Sequence, residues 1–363
     1  MSRNRELMEK VLSKYTAIKL TGIEKKKISD PRRQSLIAEV QLTPEQSAEI
    51  DSLYEDNYGK KITHDWHRLY QSFTGKYQAE YFPELLFSTK VEPSFNSWSY
   101  RYVLDDKLLL SVFTAGISEV KTPDLIGGYT NGVYYDCNHC VQTKEQFIQI
   151  LDGIGDCIFK QTKDTDSGKG VQFHKFVGSI TEVEKAIDSY RNQSFVVQRL
   201  VKPHKTLSDI YPLSVNTFRV VTYVWKGKIF HFPISLRLGR NGNRVDNAHA
   251  GGIFVGLTDD GKFMDCAFTE LGDSFYEHPD TGFVFKGASL PYIPELIKVA
   301  EKMHVNALCL GMISWDITVD ETGSFVLVEA NTNGQTVWFP QMSTGSPAFG
   351  ENTAEILRWI SKK

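Results

Sequence analysis

Cysteine is scarce in this chain, with five cysteines spread over 363 residues. Thiols this few and dispersed do not make a disulfide framework, so we expect them to stay reduced. Cys137-Asn-His139-Cys140 resembles part of a zinc site. A closed tetrahedral site needs four ligands, however, and no second Cys/His pair follows at finger-like spacing. The sequence therefore gives little reason to expect structural zinc.

An excess of one charge is also missing, since 41 Lys and Arg stand against 44 Asp and Glu, for a net charge of −3. This balance gives no reason to expect nucleic acid or an anionic membrane as a partner. Apolar runs of about 18 residues, the length that spans a bilayer, do not occur. The first residues are charged and lack an apolar core, so we expect no signal peptide. These absences predict a cytoplasmic protein without a membrane span.

The chain does have the apolar material for a large core, because 41% of its residues are hydrophobic and 12% are aromatic. This content predicts two or three structural units. Residues 1–95 have a mostly helical, polar pattern, with one helix predicted after a cap at Thr43. A second cluster at three- and four-residue spacing predicts a buried helix face: His64, Trp66, His67, Tyr70 and Phe73.

Residues 311–331 carry the most informative pattern. Strand-forming residues flank turn chemistry at Asp320-Glu-Thr-Gly323, which predicts a β-hairpin. Folding about that turn places Asp316 and Glu329 at or near facing positions, and Asn331 shares a face with Glu329 because side chains alternate along a strand. Two carboxylates and an amide oxygen form a hard-oxygen site suited to Mg²⁺ beside nucleotide phosphates. A surface hairpin with solvated acids is the alternative, although an acid that ends an apolar run is unusual there.

A second candidate site lies near residue 160. Asp156-Cys-Ile-Phe-Lys160 predicts a short strand that ends in a lysine, and a glycine-bearing hairpin follows at Ser167-Gly168-Lys169-Gly170. Small residues let the backbone close over a phosphate, with successive N–H groups as donors. The Walker A spacing is absent and no helix obviously follows. An ordinary hairpin turn therefore remains the alternative.

Two arginines lie within predicted strands. Residues 216–225 and 229–238 predict an antiparallel pair that contains Arg219 and Arg237. Arginine inside a sheet needs an anionic partner, and its planar fork suits phosphate or carboxylate. A structural salt bridge is the alternative for each. The polar, glycine-rich loop 239–252 that follows is typical of loops that close over a ligand.

The order of these features resembles a known fold. A lysine ends a strand, a glycine loop follows, a further strand ends at a hinge, Arg219 lies on a strand, and Asp-x12-Glu-x-Asn comes last. This order is similar to the ATP-grasp fold, an α+β fold in which two subdomains clasp ATP. Four segments resemble the sugar-transfer-associated ATP-grasp family in particular: Asn216-Thr-Phe-Arg219-Val-Val-Thr, Val245-Asp-Asn-Ala-His-Ala-Gly-Gly252, His278-Pro-Asp-Thr-Gly282 and Ser314-Trp-Asp316-Ile.

The resemblance implies a division of the chain into four parts. A mostly helical N-terminal region occupies residues 1–95 and lies largely outside the resemblance. A segment preceding the ATP-grasp units occupies 96–150. A nucleotide-binding subdomain then covers 151–210, and a catalytic, metal-binding subdomain covers 211–363.

The resemblance also implies roles for individual residues. The implied contacts with ATP are Lys107, Lys160, Ser167, Gly168, Gly170, Gln198, Arg199, Leu200, Val201, Asp209 and Asn247. The implied ligands of one or two Mg²⁺ ions, with Mn²⁺ as an alternative, are Asp316, Glu329 and Asn331. The implied catalytic residues, which stabilise charge on the transferring phosphoryl group, are Arg219, Arg237 and Lys160.

Within the implied ATP site, Lys160 would contact the α- and β-phosphates and the 167–170 loop would cover the triphosphate. Segment 198–201 would be the hinge that reads adenine through backbone groups, and Asp209 would contact the ribose. Gln198 stands where many relatives carry Glu, and either side chain accepts a hydrogen bond from an amino group.

The function implied is an ATP- and Mg²⁺-dependent carboxylate–amine ligase that works through an acyl phosphate. Its partners would be a small-molecule carboxylate and a nucleophile, drawn from the amino acid or sugar precursors of a cell-surface polysaccharide. A kinase of a small hydroxylated substrate would use the same ATP and metal site. A non-catalytic nucleotide-binding module is the third reading. The sequence leaves the substrates and the oligomeric state open.

Overall fold

The structure, a computed structural model, describes residues 3–163, 170–190 and 193–363. Within these ranges the α-helices are α1 (Arg3–Ile28), α2 (Pro31–Glu39), α3 (Pro44–Tyr58), α4 (Asp65–Thr74), α5 (Glu84–Leu86), α6 (Glu92–Phe95), α7 (Trp98–Leu104), α8 (Leu110–Thr114), α9 (Lys144–Leu151), α10 (Ile180–Ser189), α11 (Lys205–Ser208), α12 (Ile293–Val305), α13 (Trp338–Thr344) and α14 (Thr353–Ser361). None of these helices combines the length and apolar character needed to cross a lipid bilayer.

The strands of the same ranges are β1 (Val120–Lys121), β2 (Leu125–Thr130), β3 (Val133–Asp136), β4 (Val141–Gln142), β5 (Gly155–Gln161), β6 (Val171–Phe176), β7 (Phe195–Arg199), β8 (Phe218–Trp225), β9 (Lys228–His231), β10 (Ile234–Leu238), β11 (Ile253–Leu257), β12 (Phe263–Phe268), β13 (Ser274–Phe275), β14 (Met312–Val319) and β15 (Phe325–Asn331). They form two separate sheets. The combination of these helices with two sheets confirms the predicted α+β class.

The N-terminal part of the chain is helical, as predicted. Thr43 begins α3 with a capping box, in which its hydroxyl accepts from the Gln46 backbone N–H and the Gln46 side chain accepts from the Thr43 N–H. Both exchanges satisfy donors that a helix start leaves unpaired. The aromatic cluster on α4 forms a buried helix face through Trp66, His67 and Tyr70.

The large sheet has nine strands in the order β1-β15-β14-β8-β10-β11-β12-β13, with β9 beside β8. Because side chains alternate along each strand, its two faces pack against different helices. Val220 and Trp315 pack on one face in the core that includes α12. Val221 and Tyr223 pack on the other face against N-terminal side chains such as Phe87. The N-terminal helices therefore cover a face of the large sheet.

The small sheet has six strands in the order β4-β3-β2-β7-β5-β6. Phe159 and Val197 pack on one face against α9 and α10. Alternation places Lys160 and Gln198 on the opposite face. The sheet takes strands from both the predicted 96–150 segment and the predicted 151–210 subdomain, so the described fold does not divide between those two segments.

Several predicted elements appear at the expected positions. The predicted strand before Lys160 is β5, and its hairpin partner is β6, which pairs with it in antiparallel register. The sequence pattern of residues 104–113 also predicts one helix, but the structure interrupts it. The Asp106 carboxylate accepts from the Leu108 backbone N–H and begins a separate 3₁₀ turn at Lys107–Leu109. A local side-chain hydrogen bond of this kind competes with helix continuation.

Candidate active site

The predicted hairpin is formed by β14 and β15. Their register pairs Asp316 with Glu329 and Ser314 with Asn331, which confirms the facing arrangement predicted from the sequence. Directly paired residues on antiparallel strands project to the same side of a sheet. The two carboxylates and the Asn331 amide therefore project from one face of adjacent strands. Their roles as metal ligands remain a prediction.

Asp316 is held by both predicted arginines. Its Oδ1 accepts from Arg219 Nε at 2.6 Å, and its Oδ2 accepts from Arg219 Nη2 at 3.2 Å. Arg237 Nη2 donates to the same Oδ2 at 2.9 Å. The Asp316 side chain is almost fully buried, with 1% of its surface exposed. Burial at this depth requires compensating charge, which the two guanidinium groups supply.

Asp246 is a member of the site that the sequence analysis did not identify. Its Oδ2 accepts from the Thr217 backbone N–H at 2.7 Å and from the Thr217 hydroxyl at 2.8 Å. Its Oδ1 lies 3.7 Å from Arg237 Nη2. Asp246 thus fixes the middle of the predicted ligand-covering loop to Thr217, the residue before β8. The feature of the sequence that could have indicated Asp246 is an acid beside Asn247 in a glycine-rich loop.

Asn247 itself makes a contact within that loop. Its side-chain oxygen accepts from the His249 backbone N–H at 2.8 Å and begins the 3₁₀ turn Ala248–Ala250. This contact orders the loop. A contact with ATP remains a prediction.

Two lysines face the other carboxylate. Lys107 Nζ lies 2.8 Å from Glu329 Oε1, and the Lys107 backbone N–H donates to the Thr162 carbonyl just beyond β5 at 3.1 Å. Lys160 is buried, with 9% of its surface exposed. The pKa of Lys160 is lowered to about 8, chiefly by burial and also by Lys107, while Glu329 and Asp246 partly oppose the shift. Lys160 of the small sheet therefore lies within electrostatic range of two acids on the large-sheet side.

The charge on Glu329 is favoured by the same cations. Burial alone would raise the pKa of the Glu329 carboxyl, but Lys107, followed by Lys160 and Arg237, lowers it below its ordinary value. A carboxylate kept ionised while partly buried is suited to hold a divalent cation.

The predicted adenine hinge follows β7. Gln198 lies on β7, directly opposite Ile158, and Arg199 is the last residue of the strand, so that Leu200 and Val201 lie beyond it. The Gln198 side chain is 5% exposed, and its Oε1 has no hydrogen-bond partner among the described residues. An unpaired buried acceptor is unusual and is consistent with a group that a ligand satisfies. The hinge assignment remains a prediction.

The remaining predicted ATP contacts are less well defined. Ser167 and Gly168 lie outside the described residues. Gly170 adopts φ +69°, and its carbonyl accepts from the Gln161 N–H and the Tyr190 hydroxyl, both at 2.9 Å. Asp209 forms an exposed ion pair with Lys205 at 2.5 Å. A ribose contact by Asp209 remains a prediction.

A narrow pocket adjoins the Asp316 cluster. Its lining is Arg219, Ser235, Arg237, Ala248, Phe254 and Phe339. The rings of Phe254 and Phe339 meet edge to face with centroids 4.7 Å apart. Two guanidinium groups therefore lie beside an aromatic wall and beneath the loop that Asp246 anchors.

These features agree with the comparison to known families. The sequence profile of the sugar-transfer associated ATP-grasp family matches residues 86–355. The chain belongs to this family. The match confirms the resemblance seen in the motifs and the ATP-grasp fold, and it begins within the helical region that precedes the two sheets. No match to the chain was found among curated proteins.

Solved structures with a similar fold include several ATP-grasp enzymes. D-alanyl-alanine synthetase A from Vibrio cholerae is 14% identical, with a TM-score of 0.41, over 71% of this chain and 64% of that one. N5-carboxyaminoimidazole synthase from Aspergillus clavatus, solved with ADP, is 9% identical, with a TM-score of 0.39, over 66% and 47%. The biotin carboxylase domain of Hydrogenobacter thermophilus 2-oxoglutarate carboxylase, solved with magnesium ADP, is 14% identical, with a TM-score of 0.40, over 72% and 46%. The chain thus spans less than half the length of the last two proteins, and scores of this size do not identify a substrate.

Proposed function

We propose that this ATP-grasp protein is an ATP- and Mg²⁺-dependent ligase that activates a carboxylate as an acyl phosphate for attack by an amine or a related nucleophile. The observation that carries the proposal is the convergence of the two sheets. Asp316 and Glu329 are paired on the large sheet, while Lys160 of the small sheet interacts electrostatically with Glu329. Carboxylates and lysines that converge from two sheets suit a metal-bound triphosphate.

The donor set fits magnesium. Asp316, Glu329 and Asn331 offer oxygen ligands, and the two carboxylates already pair with cations, Asp316 with Arg219 and Glu329 with Lys107. Bound Mg²⁺ would neutralise charge on the β- and γ-phosphates. The lysines at 107 and 160 would add fixed positive charge beside the same oxygens.

The first chemical step would use the two arginines. A carboxylate oxygen of the substrate attacks the γ-phosphorus, the bond to the β–γ bridging oxygen breaks, and ADP leaves. Arg219 and Arg237 would stabilise the charge that spreads over the transferring phosphoryl oxygens. In the second step the nucleophile attacks the acyl carbon, the bond from that carbon to the phosphate oxygen breaks, phosphate leaves, and the nucleophile gives up its proton.

Arg219 and Arg237 beside Asp316 are our candidates for binding the substrate carboxylate. Their contacts with the described residues use Nε and Nη2, which leaves the Nη1 groups to an anion in that part of the chain. The Phe254 and Phe339 rings would exclude water from the acyl phosphate, which water otherwise hydrolyses.

The test is a screen of amino acids and uronic acids for ADP release with Mg²⁺ and ATP, in the presence of hydroxylamine as the nucleophile. A ligase produces ADP together with a hydroxamate of the active acid, and Glu329→Gln serves as the inactive blank. The matched control is Glu321→Gln, an exposed acid in the turn of the same hairpin. ADP formation with a stable phosphorylated alcohol and no dependence on a nucleophile would identify a kinase instead. Calorimetry that detects no ATP binding in the presence of Mg²⁺ would contradict both.

A further inference from the structure

Three polar side chains of residues 84–96 are buried where the N-terminal helices meet the large sheet. Glu84, Glu92 and Asn96 are 2%, 3% and 1% exposed. Burying such groups is unfavourable unless each is hydrogen-bonded. Asn96 bonds to the backbone that enters β14 and leaves β15, whereas Glu92 and Glu84 bond to residues 335–337 just beyond β15.

Asn96 connects those two strand ends. Its Oδ1 accepts from the Gly311 and Met312 backbone N–H groups at 2.8 and 3.0 Å. Its Nδ2 donates to the Met312 carbonyl at 2.7 Å and to the Thr332 carbonyl at 2.9 Å. Four bonds use both sides of the amide. One side chain thereby ties the residue directly after Asn331 to the strand that carries Asp316.

Glycine at position 311 permits this close approach. A Cβ there would lie 2.6 Å from the Phe95 carbonyl oxygen and 3.1 Å from its ring. Backbone contacts this short do not tolerate a side chain, so the helical segment lies directly against the start of β14.

Glu92 and Glu84 bind three residues that follow, 335–337. Glu92 Oε1 accepts from the Gln335 backbone N–H at 2.8 Å, and the Gln335 side chain in turn donates to the Asn331 carbonyl at 3.1 Å. Glu84 Oε2 accepts from the Thr336 hydroxyl and the Val337 N–H, both at 2.9 Å. The contacts follow the chain outward from the predicted metal ligand.

We propose that Glu84, Glu92 and Asn96 form a positioning clamp that sets the orientation of Asn331 for metal binding. The inference rests on the proposed magnesium site. Groups that orient metal ligands typically change metal affinity about 10- to 100-fold when removed. The aromatic and aliphatic side chains of the N-terminal helices already attach them to the sheet. The clamp would therefore give these helices a role in metal binding in addition to their packing on the sheet.

The test measures Mn²⁺ binding to the full chain in the presence of ADP, by the loss of the free-ion electron paramagnetic resonance signal. Glu92→Ala removes the acceptor for the Gln335 N–H, and we expect the dissociation constant for Mn²⁺ to rise about 10-fold or more. Glu92→Gln keeps an acceptor oxygen and should restore most of the affinity. Thr336→Val removes one donor to Glu84 and should give a smaller rise, which keeps the test valid should Glu92→Ala fail to fold.

The matched control is Tyr54→Phe. It removes a buried hydrogen bond from the Tyr54 hydroxyl to the Tyr81 carbonyl, 2.7 Å long, in the same helical region but away from β15. We expect it to lower the melting temperature without changing Mn²⁺ affinity. Equal Mn²⁺ affinities for wild type, Glu92→Ala and Thr336→Val would overturn the clamp. Should Glu329→Gln also leave Mn²⁺ binding unchanged, the metal site itself would be wrong, so the two failures are separable.

Discussion

The two sheets differ in the polar groups that they bring to the candidate site. On the large sheet, the buried carboxylate of Asp316 accepts hydrogen bonds from Arg219 and Arg237 at 2.6 to 3.2 Å. On the small sheet, the Gln198 Oε1 and the Tyr135 hydroxyl are buried without a hydrogen-bond partner among the described residues. Register places both groups on the face that also carries Lys160.

We interpret this contrast as a division of function between the two sheets. Charged groups that act on a transferring phosphoryl group work best when they are fixed before the substrate arrives, and the large sheet has them fixed. A buried polar atom without a partner costs about 1–3 kcal/mol, which a ligand can recover. We therefore propose that the small sheet recognises the nucleotide, whereas the large sheet carries the groups that act on the phosphoryl group.

The substitution with the largest expected effect on the ATP-dependent rate lies on the large sheet. Glu329→Gln keeps the shape of the side chain but removes the charge that pairs with Lys107 at 2.8 Å. We expect the ATP-dependent rate to fall on the order of 1,000-fold, because a metal ligand and its charge are lost together. The fall is measured by comparing initial rates of ADP release for the wild type and the variant. The exposed acid variant Glu321→Gln should retain wild-type activity, and an equal loss there would remove the special role of Glu329.

Lys160 should give the next largest effect, and it should depend on pH. Its pKa is lowered to about 8, chiefly by burial, so the free protein loses the ammonium charge as pH rises through that value. ATP binding should therefore be strong below about pH 8 and weaken above it. Lys160→Arg stays charged and should bind ATP equally well from about pH 7 to about pH 9.

Lys160→Met should bind ATP about 10- to 100-fold more weakly at every pH, because a charge-assisted hydrogen bond contributes about 1.5–3 kcal/mol. Dissociation constants from calorimetric titration across the pH range measure all three proteins. An ATP affinity that weakens with pH in Lys160→Arg as it does in wild type would assign the pH dependence to another group.

Asp246 links the two sheets electrostatically, because it is an acid of the large-sheet side that acts on Lys160 of the small sheet. Its charge raises the pKa of Lys160 against the lowering caused by burial. Asp246→Asn should therefore move the midpoint of the pH dependence of ATP binding to lower pH. In the double variant with Lys160→Arg, no such shift should occur. A midpoint that stays in place would show that Asp246 acts only through Thr217 and the loop.

Local pattern explains what was predictable in this site. The pairing of Asp316 with Glu329 follows from a turn and from alternation within 21 residues, and the structure confirms it. The partners of Arg237 were not predictable, because β10 reaches Asp316 only through its place beside β8. The bond from Asn96 to Thr332 joins residues 236 apart in sequence, and no local signal at either end indicates it.

The smallest of these effects on ATP binding should come from Gln198, on the face of the small sheet that also carries Lys160. Gln198→Leu removes the unpaired Oε1 while keeping a similar side-chain volume. We expect ATP affinity to fall about 5-fold, since one neutral hydrogen bond contributes about 1 kcal/mol, with little change in the rate at saturating ATP. Gln198→Glu keeps an acceptor and should bind ATP nearly as well as the wild type. Because an adenine amino group is the expected donor, Gln198→Leu should also discriminate less between ATP and GTP. A loss of affinity that is equal for both nucleotides would place Gln198 outside the base-binding site and transfer recognition to the backbone beyond β7.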